Sequence, residues 1–270
     1  MEACRLNKYL AAAGLCSRRE ADRLIASGRI LIDGKPAEAG QQVDGTETIL
    51  LDGKPLGCGK TAAELQTPAP VLLLFNKPRG LVCTAGHKDR APNVIDYIHY
   101  GTRIYPIGRL DKESEGLLLL TNQGALVNQI NRARYGHEKE YLVGCRHALT
   151  ARFLRQLAAG VEIEVPRRGK GEAPYKLRTR ACKVTQVDAH HFRIILTQGL
   201  NRQIRRMCAA LGNEVVLLRR LRVMNLKLGA LQVGAYRSAT EAEWTELRRL
   251  LAVQVEQGET GHGTDFARTV

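Results

Sequence analysis

Three short stretches of this chain place chemically capable side chains where a fold could bring them together. The first is Pro106-Ile107-Gly108-Arg109-Leu110-Asp111-Lys112-Glu113-Ser114-Glu115-Gly116, which runs into Leu117-Leu118-Leu119-Leu120-Thr121. Its glycines permit tight or left-handed turns, so a loop between two strands would present Arg109 and Asp111 beside the open end of an apolar sheet. A carboxylate there can serve as nucleophile or base. The same spacing equally suits a turn or cap residue, which is the commoner role of a loop aspartate. The second stretch is His137-Glu138-Lys139-Glu140-Tyr141-Leu142-Val143, where alternation sets Tyr141, Val143 and Cys145 on one strand face. Tyr141 is then either a core residue or an aromatic wall. The third is Gln198-Gly199-Leu200-Asn201-Arg202-Gln203-Ile204-Arg205-Arg206-Met207-Cys208. Ile204, Met207, Cys208 and Leu211 form an apolar helical stripe, so Arg202, Arg205 and Arg206 emerge on other faces. With Arg219, Arg220 and Arg222, positions 201–222 hold six arginines against one acid, Glu214. Few acids nearby in sequence neutralise them.

The elements that position these stretches follow from periodicity. A buried strand is expected at 71–75, halted near Pro78, with others at 103–107, 117–121, 139–145, 192–197, 214–219 and 222–228. Helices are expected at 124–133, 150–159, 201–211 and 240–252. This irregular mixture predicts an α+β domain over 71–252 with a mixed, largely antiparallel sheet. Residues 57–70 read as a linker, and the polar stretch 253–270 as a disordered tail.

Ahead of them, 1–56 form a separate small module. Leu6, Tyr9, Leu10 and Ala13 share a helical face that stops at Gly14. Ser17-x-x-Glu20 is a capping box opening a second helix with Ala21, Leu24 and Ile25, ended by Gly28. Ile30-Leu31-Ile32 then meets the turn Asp33-Gly34. Positions 5–35 carry seven basic residues (Arg5, Lys8, Arg18, Arg19, Arg23, Arg29, Lys35) against three acids, and Arg19 and Arg23 stand one turn apart.

This helix–turn–helix–hairpin order, with RLNKYLAAAGLCSRREADRLIASGRILIDGKPA, resembles the S4 RNA-binding module. The string GRLDKESEGLLLLTN resembles the signature of the RsuA/Rlu pseudouridine synthases, which carry an S4 module ahead of the catalytic domain. In that family the aspartate of the string is essential, which implies Asp111. The arginine two positions before it, here Arg109, implies a side chain that fills the hole left by a flipped base. The resemblance makes Tyr141 the aromatic lying against uracil and a candidate for handling the C5 proton. It also makes Arg205 the guanidinium partner of Asp111, holding the carboxylate in its charged form. HEKEYLV, QGLNRQIRRMC and RVMNLKL are most similar to the RluF branch. That branch implies 23S ribosomal RNA as partner, with a transfer RNA anticodon for some members. Arg5, Lys8, Arg18, Arg19, Arg23, Arg202 and Arg206 become the expected RNA-holding residues.

Isomerising uridine breaks N1–C1′, turns the base and joins C5 to C1′, so the resemblance implies an enzyme without cofactor or metal. Asp111 would attack sugar or base, or remove a sugar proton. The sequence contains no P-loop, Rossmann glycine string or metal-ligand cluster. His190-His191 after Asp188-Ala189 suit a hairpin turn. Across the chain 41 Lys+Arg against 27 Asp+Glu leave +14, which favours a polyanion. No apolar run approaches the roughly 20 residues of a membrane span, and the N-terminal residues lack a secretory signal's apolar stretch. Seven cysteines without a C-x-x-C pair fit a reducing cytoplasm. A monomer is the default expectation. Two other classes fit parts of the pattern: a non-catalytic RNA-binding or ribosome-assembly protein, and a DNA-binding regulator suggested by the basic N-terminal helices.

Overall fold

In the N-terminal unit each apolar repeat finds the partner its period requires. The computed structural model describes residues 3–56, 69–83, 92–131, 136–167 and 173–260, the last eight as backbone. β1 (Cys4–Arg5) leads into α1 (Leu6–Ala12), which buries Leu6, Tyr9 and Leu10. Ser17 caps α2 (Arg18–Ala26) by accepting the Glu20 N–H at 3.0 Å. The Glu20 carboxylate, expected to return to the cap, pairs with Arg23 instead. β2 (Ile30–Ile32) joins β3 (Lys35–Pro36) through Asp33 and Gly34, both at positive φ (49° and 81°), as a two-residue hairpin demands. β4 (Gln42–Val43) pairs with β1, and β5 (Ile49–Leu51) and β6 (Lys54–Pro55) complete a sheet of order β3-β2-β5-β6. Arg5, Lys8, Arg18, Arg19 and Arg23 all stand exposed on this unit.

The chain divides into two compact units, the first being Met1–Val71 with the short strips Tyr100–Ile104 and Asn122–Gly124. The elements that follow the first module are, in order, β7 (Leu72–Lys77), α3 (Val94–Ile98), β8 (Tyr105–Ile107), β9 (Glu115–Thr121), α4 (Gly124–Asn131) and β10 (Lys139–Cys145). There follow α5 (Ala151–Ala158), β11 (Glu162–Val165), β12 (Tyr175–Arg178), β13 (Lys183–Gln186), β14 (His191–Leu196) and α6 (Gln203–Ala210). β15 (Val215–Val223), β16 (Leu226–Lys227), β17 (Tyr236–Ser238) and α7 (Glu241–Thr260) close the chain. The main sheet runs β13-β14-β10-β15-β9-β7-β17, with β8 on β9 and β16 on β15. Among its pairings β9–β15 is parallel and the others are antiparallel. The α+β class with a largely antiparallel sheet therefore stands. β7 is buried along its whole length, which explains its unbroken apolar run. One core packs Phe153, Leu157, Phe192, Ile194 and Met207, and a second packs Leu117, Leu119, Leu126, Ile130 and Leu247.

Three expectations need correction. A single long strand, β15, occupies the place where two were expected at 214–219 and 222–228, because Arg219, Arg220 and Arg222 find partners within the sheet and interrupt nothing. The short strands β11, β12, β13 and β17 and helix α3 span only three to five residues each, too few for a period to announce them. The last helix passes 252 and runs to Thr260 where a disordered tail was expected. The proposed linker lies mostly outside the described residues, as does 261–270. No helix among the described residues is long and apolar enough to cross a membrane.

Candidate active site

Asp111 sits in the loop between β8 and β9, and main-chain hydrogen bonds define that loop. Gly108 enters it at φ +74°. Leu110 donates to Cys83 Sγ at 3.4 Å, Ser114 N–H to the Asp111 carbonyl at 3.0 Å, and Gly80 N–H to the Lys112 carbonyl at 2.8 Å. Beneath the loop lies Lys77, fully buried at the end of β7. Its ammonium donates to the carbonyls of Pro78 (2.9 Å), Asp111 (3.3 Å) and Ser114 (2.8 Å). Burial pushes its pKa down, against attraction from neighbouring acids. Gly116, at φ +97°, closes the loop where β9 meets β15. A Cβ there would lie 2.4 Å from the Arg220 carbonyl oxygen, so this position requires glycine.

The carboxylate faces α6. Oδ2 of Asp111 is 3.9 Å from Arg205 Nε and 3.7 Å from Arg202 Nη1. These are ion pairs with room between the partners, longer than direct hydrogen bonds. Arg205 spends its donors elsewhere: Nη1 on the Val215 carbonyl (3.0 Å), Nη2 on the Glu113 carbonyl and Ser114 Oγ (both 3.4 Å). Its Nε is buried without a hydrogen-bond partner. Burial first, then Arg202, lowers its pKa from the usual arginine value. Arg202 also reaches Glu113 at 3.2 Å. A main-chain hydrogen bond first, and then Arg202, hold the Glu113 carboxyl below the usual range. The stripe Ile204, Met207 and Cys208 is buried, as the helical reading required.

Asp111, Arg109 and Arg202 line an open cleft of about 450 Å³ together with Tyr141, and its apolar walls are Leu196, Leu200, Ile204 and Leu218. Arg109 stands exposed at the rim. Of the site residues expected from sequence, Arg206 is directed away from Asp111. It braces the helix start, donating to the Asn201 and Glu164 carbonyls at 3.0 and 2.8 Å.

The arginine-rich window is also less free than its sequence suggests. Glu115 binds Arg219 (2.6 Å) and Arg79 (3.0 Å), while Glu138 and Glu140 bind Arg222 (2.8 and 3.1 Å). The neutralising acids come from other strands, which linear counting cannot see. Sequence reasoning missed Lys77, Ser114 and Glu115 as parts of the site. The one available signal was a lysine closing β7 after its apolar run, immediately before Pro78.

Known proteins are similar to this chain over most of its length. Residues 71–210 match the family model for RNA pseudouridylate synthase, and 4–49 match that for the S4 domain. The chain is 43% identical to the dual-specificity RNA pseudouridine synthase RluF of Salmonella typhi and 42% identical to that of Escherichia coli (strain K12). Each alignment covers 92% of this chain and 79% of the relative. It is 34% identical to ribosomal large subunit pseudouridine synthase B of Bacillus subtilis, over 91% of this chain and 96% of that one. A crystal structure of a pseudouridylate synthase superposes with a TM-score of 0.59 at 27% identity, covering 91% of this chain and 99% of the other. An S4 module, a GRLD loop over a largely antiparallel sheet, and this breadth of identity leave one assignment: the chain belongs to the RsuA/Rlu family of RNA pseudouridine synthases.

Proposed function

We propose that this enzyme flips a uridine of 23S ribosomal RNA into the cleft between Asp111 and Tyr141, and that a transfer RNA anticodon uridine is a second substrate. The observation that carries the reading is the convergence of Asp111, Tyr141 and Arg109 on one cleft, with guanidiniums 3.7 and 3.9 Å from one carboxylate oxygen. The dual-specificity name of the relatives supports two classes of RNA.

The exposed basic residues Arg5, Lys8, Arg18, Arg19 and Arg23 hold phosphates. The target base leaves its stack at a cost of a few kcal/mol, and Arg109 takes its place. Arg202 and Arg205 hold Oδ2, so the carboxylate keeps a fixed face toward the sugar. Asp111 attacks C1′ or removes the C2′ proton. In both routes N1–C1′ breaks and its bonding pair leaves with uracil. The freed base turns against Tyr141 and C5 bonds to C1′. That step displaces the aspartyl ester or returns the proton to C2′. The C5 proton is lost toward the Tyr141 side, and N1 gains one. No electrons enter or leave overall.

Asp111→Asn and Asp111→Ala should abolish tritium release from C5-labelled 23S ribosomal RNA transcripts while RNA binding persists. Full activity in either clean preparation would refute the assignment. Separate transfer RNA transcripts test the second substrate.

A further inference from the structure

Lys139 opens β10 two residues before Tyr141 and, by alternation, on the same face. Its partner on β14 is Leu196, a wall of the cleft, and the partner of Tyr141 on β15 is Arg220. Lys139 Nζ donates to the His137 carbonyl at 3.4 Å. Arg220 is 2% exposed. Its Nε donates to the Leu117 carbonyl at 2.7 Å, and its Nη2 is buried without an acceptor. Among the described residues no carboxylate forms an ion pair with either cation.

The surroundings explain why. Glu138 and Glu140 alternate to the opposite face, where they hold Arg222, Arg193 and Lys183. β14 offers Leu196 and Ile194, and β15 offers Val223 beside Arg220. α4 contains no acid, and its Gln129 carbonyl meets His137 Nε2 at 3.1 Å. On β9 the nearby acid, Glu115, is committed to Arg79 and Arg219. Burial first, and Arg220 second, push the Lys139 pKa down to about 8. A half-buried and a fully buried cation without a counter-ion weaken a fold, so their presence beside a cleft points to an anion that arrives there.

The chemistry makes such an anion: uracil leaves C1′ with the bonding pair, spread over N1, O2 and O4. We propose that Lys139, backed by Arg220, supplies the positive potential that holds the detached uracil as an anion against Tyr141 while it turns from N1 to C5. The inference rests on the Asp111 and Tyr141 reading above. Lys139 neither gains nor loses a proton over the cycle. Its charge counts where negative charge develops.

The test compares wild type, Lys139→Met and Lys139→Arg in single turnover on 23S ribosomal RNA transcripts made with uridine or with 5-fluorouridine, following loss of the target nucleoside by chromatographic separation after digestion. Fluorine stabilises the uracil anion by itself. Lys139→Met should therefore slow uridine turnover by about a hundredfold and 5-fluorouridine turnover far less. Wild-type rate should fall as pH rises through about 8, whereas Lys139→Arg should hold its rate to higher pH. Equal losses on both substrates, no loss, or an unchanged pH profile in Lys139→Arg would overturn the proposal. Should Lys139→Met fail to fold, the Lys139→Arg profile decides alone. Activity retained in Asp111→Asn would instead show that the underlying site reading had failed.

Discussion

Lys77→Met isolates the contribution of the strut beneath the Asp111 loop. The substitution roughly conserves length and apolar bulk but removes the ammonium that serves the Pro78, Asp111 and Ser114 carbonyls. The Asp111 carbonyl keeps its bond from Ser114 N–H. The other two lose a charged donor, at about 1–3 kcal/mol each. Against that, methionine avoids the desolvation that depresses the lysine pKa. The net expectation is a loss of about 2–3 kcal/mol, which a domain of ordinary stability survives.

Function should suffer more than stability. With the strut gone, the Asp111 loop can shift by a fraction of its own width, and a misplacement of about 1 Å can cost roughly a hundredfold in rate. Urea denaturation gives the first number and single-turnover pseudouridine formation the second. If Lys77→Met lost less than about 1 kcal/mol and also kept its rate, the loop would be held by something other than this lysine. A stability loss with full activity would be equally damaging, because it would uncouple the strut from the carboxylate.

Other substitutions probe separate parts of the molecule. Gly116→Ala forces a side chain into φ +97° and a Cβ to 2.4 Å from the Arg220 carbonyl, so urea denaturation should show a loss of about 3–5 kcal/mol, or no soluble protein. Lys139→Met should stabilise the fold by about 2 kcal/mol at neutral pH. Its folded pKa lies below the unfolded value, so wild-type stability should rise between about 8 and about 10.4, and thermal melts of the variant should lack that rise. Glu243, held at about 2 chiefly by its hydrogen bond from Arg237, contributes stability that is present above the unfolded carboxylate pKa and lost as pH falls toward 2. Glu243→Gln should thus cost about 2 kcal/mol at pH 7 in chemical denaturation, with the difference vanishing in strong acid.

Much of this arrangement was legible in the sequence, and the rest was not, for identifiable reasons. Gly14, Ser17 and Asp33-Gly34 act locally, so their effects on helix ends and turns could be read from neighbours alone. The stripe of α6 and the alternation of β10 could be read from the sequence because both periods are intrinsic to the backbone. Lys77, Glu115 and Arg220 behave differently. Each gains its role from a strand distant in sequence: Lys77 from the β8–β9 loop, Glu115 from Arg219, Arg220 from the β9 main chain. A composition count treats such residues as solvated charges, and only the sheet order reveals them as fixed parts.

That distinction bears on how the site holds RNA. Counted along the chain, 201–222 is a dense cationic segment, a natural candidate for gripping phosphate. In the fold, Arg219 and Arg222 are engaged by Glu115, Glu138 and Glu140, Arg206 braces Glu164, and Arg220 is buried. What remains of that segment at the cleft is a smaller set, Arg202 at its wall with Arg205 behind Asp111, joined there by Arg109. The paired arginines hold strands and loop in register without offering much free charge, because exposed ion pairs present little net field beyond a Debye length of about 10 Å. On the proposed function, phosphate attraction would fall mainly to the exposed Arg5, Lys8, Arg18 and Arg19 of the N-terminal unit, and the positive charge at the cleft would serve Asp111 and the departing base.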